Sequence, residues 1–167
     1  MSTDRIVVAY ATRHGQARRI AEHVGRELGT WGWPCDLINV AEEPLDEWPA
    51  YAAAILVAPV HGGHHDKAMI RFVKVALPAL GHIPNAFLSV TLTEASVEDP
   101  QATPERHAQA VADVAAMVES FVKETGWRPQ QVVPTDSTRD HEFTDWGALG
   151  RFAQQFAHDL RANHVAW

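Results

Sequence analysis

The sequence predicts an α/β domain with a doubly wound parallel sheet of five strands between two layers of helices. Segments that are apolar at every position recur along the chain, and such segments are typical of strands buried on both faces. Segments with apolar residues three and four positions apart lie between them, which is the spacing of amphipathic helices. Strands that alternate with helices pair in parallel through right-handed crossovers. We therefore predict one three-layer α/β/α sandwich domain over residues 1–167.

The first half of the chain contains three of the predicted strands. An apolar strand over residues 5–11 is followed by a helix over residues 16–28, whose apolar residues all lie on one face. Residues 35–40 alternate weakly and are predicted to form a strand near the edge of the sheet. Residues 53–60 form the second strand that is apolar on both faces.

The next segment combines a polar loop with two helices and a strand. Residues 61–66, with the sequence HGGHHD, are predicted to form a loop. A helix over residues 67–80 and a third buried strand over residues 85–93 follow. A long helix is predicted over residues 103–126, because a threonine that can cap it precedes a proline at its first position.

The last two elements complete the predicted sheet and its helical layers. A short strand over residues 130–135 contains Pro134, which lacks a backbone donor and therefore favours an edge position or a bulge. Thr144 or Asp145 caps the last helix. We predict the strand order 2-1-3-4-5, in which the winding direction reverses between the first and third strands.

The composition excludes several classes of protein. The formal net charge is −7, and basic residues cluster only at Arg13, Arg18 and Arg19, so a nucleic-acid partner is not expected. The single cysteine, Cys35, excludes an internal disulfide and is expected to be a small core residue. No signal segment and no apolar run of ~20 residues is present, so we expect a cytoplasmic protein without a transmembrane segment. The oligomeric state stays open.

The two loops at the predicted reversal point have unusual sequences. In the first, Gly15 permits a backbone conformation that other residues resist, and the N–H groups of residues 15–18 are predicted to be unpaired donors at a helix start. Such a site favours a phosphate, and Thr12 and Arg13 add a hydroxyl and a charge. The alternative is an ordinary tight turn with solvated arginines.

The second loop, residues 59–66, is predicted to lie beside the first at the reversal point. Gly62 and Gly63 allow a flat ring to approach the main chain closely. The alternative is that the two glycines form only a flexible turn.

Five sequence blocks carry a resemblance to a known family. They are TRHGQARRIA, GGHHDKAMIRFV, PNAFLSVTL, GWRPQQV and FTDWGALGRFAQQFAH. In this order they resemble the menaquinone-dependent protoporphyrinogen oxidases (protoporphyrinogen IX dehydrogenases), a family of flavodoxin-like fold. The resemblance covers nearly the whole chain. It implies that FMN binds noncovalently and that electrons pass from a reduced porphyrinogen through the flavin to a quinone.

The resemblance also implies which residues contact FMN. The phosphate would be bound by Thr12, Arg13, His14, Gly15, Gln16 and Ala17. The flavin ring would lie between two further loops that contain Pro59, Val60, His61, Gly62, Gly63, His64, Thr91, Leu92 and Thr93.

Four features depart from the family pattern. Ala17 replaces the threonine usual in flavodoxin loops, which removes one phosphate donor worth ~1 kcal/mol. His61 and His65 stand in the flavin loop where the family has tyrosines. The link over residues 136–143 is short and acidic instead of long, basic and aromatic, and loop 94–105 is acidic instead of basic. Because acidic loops repel porphyrin carboxylates and anionic lipid, the resemblance supports the cofactor more strongly than the substrate.

Four histidines are expected around one cleft: His14, His61, His64 and His65. We predict no metal site, because adjacent histidines point apart in most backbones and no two histidines lie four residues apart on one helix. One interpretation is that the imidazoles line the flavin edge or face solvent. The other is that His61 or His64 acts catalytically by delivering a proton.

These observations predict an FMN-binding flavodoxin-like oxidoreductase whose partner is a small molecule, such as a quinone, or a redox protein. One alternative is an electron carrier without a substrate of its own, because an acidic loop suits a basic protein partner. Another alternative is a flavodoxin-like fold that has lost FMN and acts as a binding module, for which Ala17 is the motivation.

Overall fold

The computed structural model describes residues 4–12, 15–42, 50–61, 63–91, 103–136 and 145–165. The strands within these residues are β1 (Ile6–Tyr10), β2 (Cys35–Asn39), β3 (Ala53–His61), β4 (His64–His65), β5 (Asn85–Thr91) and β6 (Val132–Asp136). The helices are α1 (Gln16–Thr30), α2 (Lys67–Leu80), α3 (Pro104–Thr125) and α4 (Trp146–Val165). No helix of the described part is long and apolar enough to cross a bilayer.

The predicted sheet topology is confirmed. The parallel strands lie in the order β2-β1-β3-β5-β6, which is 2-1-3-4-5 when these five are numbered along the chain. In the centre of the sheet, Ile6 of β1 pairs with Ala53, and Ala54 of β3 pairs with Asn85. From β1 the chain continues to β2 on one side of the sheet, and from β3 it continues to β5 on the other side. The winding direction therefore reverses between β1 and β3.

The prediction that residues 61–66 form a loop is wrong. Strand β3 continues to His61, and the short strand β4 returns antiparallel to it, with Val60 paired to His65 and His61 paired to His64. Gly63 has φ +80°, a backbone conformation open to glycine. The chain therefore reverses tightly enough to form a hairpin, which we call the β3–β4 hairpin, residues 59–66.

The two faces of the sheet bury separate apolar clusters. Along β1, Ile6, Val8 and Tyr10 belong to the cluster under α1 and α4, while Val7 and Ala9 belong to the cluster under α2 and α3. All five side chains are buried, as expected for a central parallel strand. Both clusters extend across β3 and β5, so the sheet carries a helical layer on each face.

The predictions for the edges and the last cap are also confirmed. Strands β2 and β6 are the two ends of the parallel order, and Pro134 lies in β6. The carboxylate of Asp145 accepts a hydrogen bond of 2.9 Å from the N–H of Ala148 and caps α4. The alternative cap, Thr144, lies outside the described residues.

Candidate functional site

The candidate site lies at the edge of the sheet where the parallel strands end, which we call the carboxyl edge. Strand β1 ends at Tyr10, and α1 begins six residues later at Gln16. Strand β3, its neighbour, ends in the β3–β4 hairpin. The structure therefore brings the two sequence-predicted loops together on either side of the reversal point, where ligands bind in open α/β sheets.

The first loop is organised around Gly15. Gly15 is the N-cap of α1 with φ +85°, and apart from its chain neighbours no atom of the described residues lies within 4 Å of the position that a Cβ would occupy. Its N–H donates a 2.9 Å hydrogen bond to Oγ1 of Thr12. This corrects the prediction that the Gly15 N–H is an unpaired donor, because the Thr12 hydroxyl uses it to close the turn.

The first turn of α1 retains the chemistry of an anion site. It contains no acidic residue, and Gly15 contributes no side chain that could cap the helix. Ala17 is buried, and as an alanine it can offer a ligand only its backbone N–H. Arg18 and Arg19 are exposed, and Arg18 pairs with Glu22 at 2.9 Å. The predicted contacts Arg13 and His14 lie outside the described residues.

The second loop is a supported hairpin. The carbonyl of Pro59 accepts a 3.1 Å hydrogen bond from the N–H of Asp66. The carboxylate of Asp66 accepts a 2.8 Å hydrogen bond from the N–H of Ala68 and caps α2.

The predicted contact residues of the hairpin differ in exposure. His61 is half-buried and His64 is exposed at the tip. Val60 is buried and Gly63 exposed, while Gly62 lies outside the described residues.

His65, which was expected with the other histidines around the flavin cleft, is the buried side chain of this hairpin. It is 3% exposed, and its Nε2 lies 2.8 Å from Oγ of Ser89 on β5. Its ring lies 5.0 Å from the rings of both Phe87 and Phe121. Burial, with a smaller contribution from His64, lowers the pKa of His65 to about 4, so the imidazole is neutral. The burial of His65 could have been predicted from a hairpin, because side chains alternate between the two faces of a strand and one of two adjacent histidines must point inward.

The third predicted segment begins at the end of β5. Thr91 is buried, and its Oγ1 donates a 3.4 Å hydrogen bond to the carbonyl of Thr135 on β6. The hydroxyl of Thr91 thus contacts the neighbouring strand. The other predicted contacts on this side, Leu92 and Thr93, lie outside the described residues.

A cleft of about 680 Å³ opens beside the hairpin, between the start of α2 and the end of α3. Its lining includes His61, His64, His65, Lys67, Arg71 and Glu124. Among the residues that the structure describes, no three His, Cys, Asp or Glu side chains form a group that could hold a metal. The cleft therefore offers hydrogen bonding and both signs of charge to an organic molecule.

A second cleft of about 460 Å³ lies between the end of α1 and the outer face of α4, lined in part by Trp31, Arg151 and Arg161. Arg161 donates a 2.8 Å hydrogen bond to the carbonyl of Trp31. Because α1 begins at the carboxyl edge and ends at Thr30, this cleft lies at the opposite end of α1 from the two loops.

The network at the other edge of the sheet is structural. Arg5 donates from its Nε to Asp36 at 2.9 Å, and the Tyr51 hydroxyl donates to the same carboxylate at 3.0 Å. The hydrogen bond from Arg5 lowers the pKa of Asp36, while burial raises the pKa of Tyr51 to about 12. Burial likewise raises the pKa of Cys35 to about 12, so its thiol is unreactive.

Comparison with known proteins agrees with the predicted resemblance. The chain is 27% identical over 182 residues to protoporphyrinogen IX dehydrogenase [quinone] of Escherichia coli K12, with 92% of this chain and 95% of that protein covered. It is 25% identical to the Leishmania major protein of the same name, covering 92% and 74%. Both names denote oxidoreductases, which supports that class for this chain.

Solved structures support the fold. A flavodoxin from the domain Archaea matches with a TM-score of 0.62 at 15% identity, covering 94% of this chain and 99% of the flavodoxin. The family model described as flavodoxin domain matches residues 7–134, more than half of the chain. The flavodoxin-domain match indicates FMN as the cofactor, as predicted. The chain therefore belongs to the flavodoxin-domain family.

Proposed function

We propose that this protein is an FMN-dependent oxidoreductase that binds the FMN phosphate at the start of α1 and the flavin ring beside the β3–β4 hairpin. The observation that carries the proposal is Gly15, which occupies the N-cap of α1 in a left-handed conformation at the reversal point of the sheet. The first backbone N–H groups of a helix have no carbonyl partner within the helix, so an anion at the start of α1 would accept from them.

The residues present fit a phosphate. The positive end of the α1 macrodipole favours a dianion by up to ~1 kcal/mol, and no carboxylate in the first turn opposes it. The open space beside the Gly15 Cα lets the phosphate approach the backbone. The Thr12 hydroxyl, which already accepts from Gly15, still has its own proton to donate.

The proposed contacts of the flavin ring come from the β3–β4 hairpin and from the end of β5. FMN, when bound, supplies the electron-accepting and electron-donating chemistry. The backbone of Pro59, Val60 and Gly63 would orient the ring from one side, and the main chain after Thr91 would flank the other. The imidazole of His64 is exposed at the tip, and half-buried His61 lies across the hairpin from it. In this proposal one of the two delivers a proton.

The proposed electron acceptor is a quinone. Both relatives carry a quinone in their names, and a planar quinone of modest size suits a cleft of about 680 Å³ beside the ring loop. Lys67 and Arg71 in this lining would donate hydrogen bonds to the carbonyl oxygens of such a molecule.

The test is a titration of the denaturant-stripped full chain with FMN and, in parallel, with riboflavin, followed by quenching of flavin fluorescence. We expect FMN to bind at least ~10-fold more tightly than riboflavin, because only FMN has the phosphate that the α1 start would hold. Equal binding of both flavins would show that the α1 start contributes nothing.

Two glycine variants locate the two halves of the cofactor. Gly15→Asp places a carboxylate where the phosphate would bind, so we expect FMN affinity to fall ~100-fold with little change for riboflavin. Gly63→Asp is the matched control, because Gly63 is also a left-handed glycine with open space beside it but lies on the β3–β4 hairpin, away from the start of α1. We expect it to weaken FMN and riboflavin equally.

A wild-type chain that ignores saturating FMN would contradict the proposal. The protein would then be a flavodoxin-like binding module, and the search for its ligand would start at the cleft beside the hairpin.

A further inference from the structure

His65 has an unusual environment for a polar side chain. Its ring fills the space beside the stacked pair Phe87 and Phe121, whose ring centroids are 4.5 Å apart at an interplanar angle of 5°. Ser89, its hydrogen-bond partner, is fully buried on β5. His65 thus connects the hairpin to the central sheet through Ser89 and to α3 through Phe121.

This buried pair does not satisfy all of its polar atoms. Nδ1 of His65 is buried and has no hydrogen-bond partner among the described residues. If Ser89 donates to Nε2, the neutral ring carries its proton on Nδ1, and that N–H has no acceptor. If Nε2 donates to Ser89, the serine hydroxyl must direct its own proton elsewhere. An apolar pair of the same shape would leave no such deficit.

The hydrogen bond between His65 and Ser89 constrains geometry even though an apolar pair would be at least as stable. Apolar side chains tolerate small rotations and shifts, whereas a 2.8 Å hydrogen bond fixes one distance and one ring orientation. The hairpin needs such a fixed contact because its tip is exposed, with both Gly63 and His64 facing solvent. Since β4 is two residues long, its ladder alone holds the tip weakly.

We propose that His65 is a positioning residue, whose hydrogen bond to Ser89 and packing beside the stacked Phe87 and Phe121 set the height and orientation of the β3–β4 hairpin at the carboxyl edge. The proposal deepens the proposed function and rests on it, because the hairpin tip is the segment that would face the flavin ring. His65 does not touch the flavin in this proposal; it acts through His61, Gly63 and His64.

The decisive variant separates positioning from stability. His65→Phe/Ser89→Ala replaces the polar pair by an aromatic ring and a methyl group. We expect its apo form to melt within about 3 °C of the wild type or above it, because both partners are removed together. We expect its FMN dissociation constant to rise about fivefold and its bound-flavin absorbance to lose vibrational structure, because the tip is no longer fixed.

A matched control exists on the opposite face of the sheet. His23 is half-buried, its Nε2 lies 3.2 Å from the carbonyl of Trp146, and its ring makes an edge contact with Trp146 at 5.0 Å. His23→Phe therefore removes a similar contact far from the hairpin. We expect it to change FMN affinity less than twofold.

A double variant that binds FMN with wild-type affinity and spectrum would overturn the proposal, since the polar pair would then have only a packing role. Should the double variant fail to fold, Ser89→Ala alone keeps the ring and deletes the hydrogen bond. We expect amide hydrogen exchange at residues 60–65 to accelerate at least ~10-fold in this variant, and unchanged exchange there overturns the proposal.

The exchange measurement also separates the two proposals. If the wild type fails to bind FMN, the proposed function fails. Exchange in the apo wild type and in Ser89→Ala still shows whether the hydrogen bond holds the hairpin. Accelerated exchange confined to residues 60–65 supports the positioning role, and acceleration spread over the whole chain contradicts it.

Discussion

The two loops at the carboxyl edge are held in different ways. The turn before α1 is closed by local contacts: the Thr12 hydroxyl accepts from Gly15 three residues on, and Gly15 itself provides the left-handed turn. The β3–β4 hairpin is held from a distance, because His65 contacts Ser89, 24 residues further along the chain, and Phe121 on α3.

This difference teaches that a backbone site and a side-chain-anchored site fail in different ways. A phosphate cradle made of N–H groups depends on one glycine and a helix start, so few substitutions elsewhere should reach it. A hairpin positioned through the core should respond to changes in α3 and β5 that touch neither the hairpin nor its ligand.

The largest expected effect comes from removing Phe121. Phe121→Ala should lower the free energy of unfolding by ~3–5 kcal/mol, because it opens a cavity beside Phe87 and His65. Phe152→Ala, in the cluster under α1 and α4, should cost a similar amount. Urea unfolding checks both costs.

FMN affinity at a temperature where both variants are folded then distinguishes the two regions. Phe121→Ala should weaken FMN by more than threefold, whereas Phe152→Ala should not. Equal affinities would show that α3 does not reach the hairpin.

The next effect is the pH dependence of stability. The pKa of His65 is about 4 in the folded chain and near its ordinary 6.5 in the unfolded chain, so folding favours the neutral ring. The resulting stability is fully present above pH 6.5 and is lost as pH falls towards 4, by at most ~3 kcal/mol.

Urea unfolding at pH 7.0, 5.5 and 4.5 measures this loss. The His65→Phe/Ser89→Ala variant lacks the imidazole, so most of this pH-dependent loss of unfolding free energy should be absent from it. Parallel curves for the two proteins would mean that the pKa of His65 is the same in the folded and unfolded chains, so that burial does not lower it.

The smallest effect concerns the cradle. Ala17→Thr adds a hydroxyl at the position where flavodoxin loops usually carry threonine, and one hydrogen bond should tighten FMN about fivefold. Ala17→Val has the same shape without the hydroxyl, so it should give no gain. A fluorescence titration compares them, and equal affinities would show that the hydroxyl does not reach the phosphate.

Much of the fold follows from local sequence patterns. Doubly apolar segments predicted β1, β3 and β5, and the spacing of Ala17, Ile20 and Val24 predicted α1, because each pattern reports a face that must be buried. Gly15 was also predictable, since a glycine between a strand and a helix start has few other roles.

The hairpin was not predictable in the same way. The letters HGGHHD read as a polar loop because histidine and aspartate are usually exposed. Only the partners from distant strands and helices make burial of His65 favourable, and its neighbour His64 stays exposed. Likewise, Thr12 offered a hydroxyl to a ligand in the sequence, but nothing local showed that Gly15 would use it first.

Pro134 in β6 has a consequence for association between chains. The N–H of Phe87 donates to the carbonyl of Gln131, so by alternation residues 131, 133 and 135 face β5 and Pro134 faces outward. The proline therefore removes no bond from the sheet, but it takes away an outward donor that an incoming strand would need. Among the described residues no strand pairs with this side of β6, and the missing donor makes it a poor template for strand addition and for edge-to-edge aggregation.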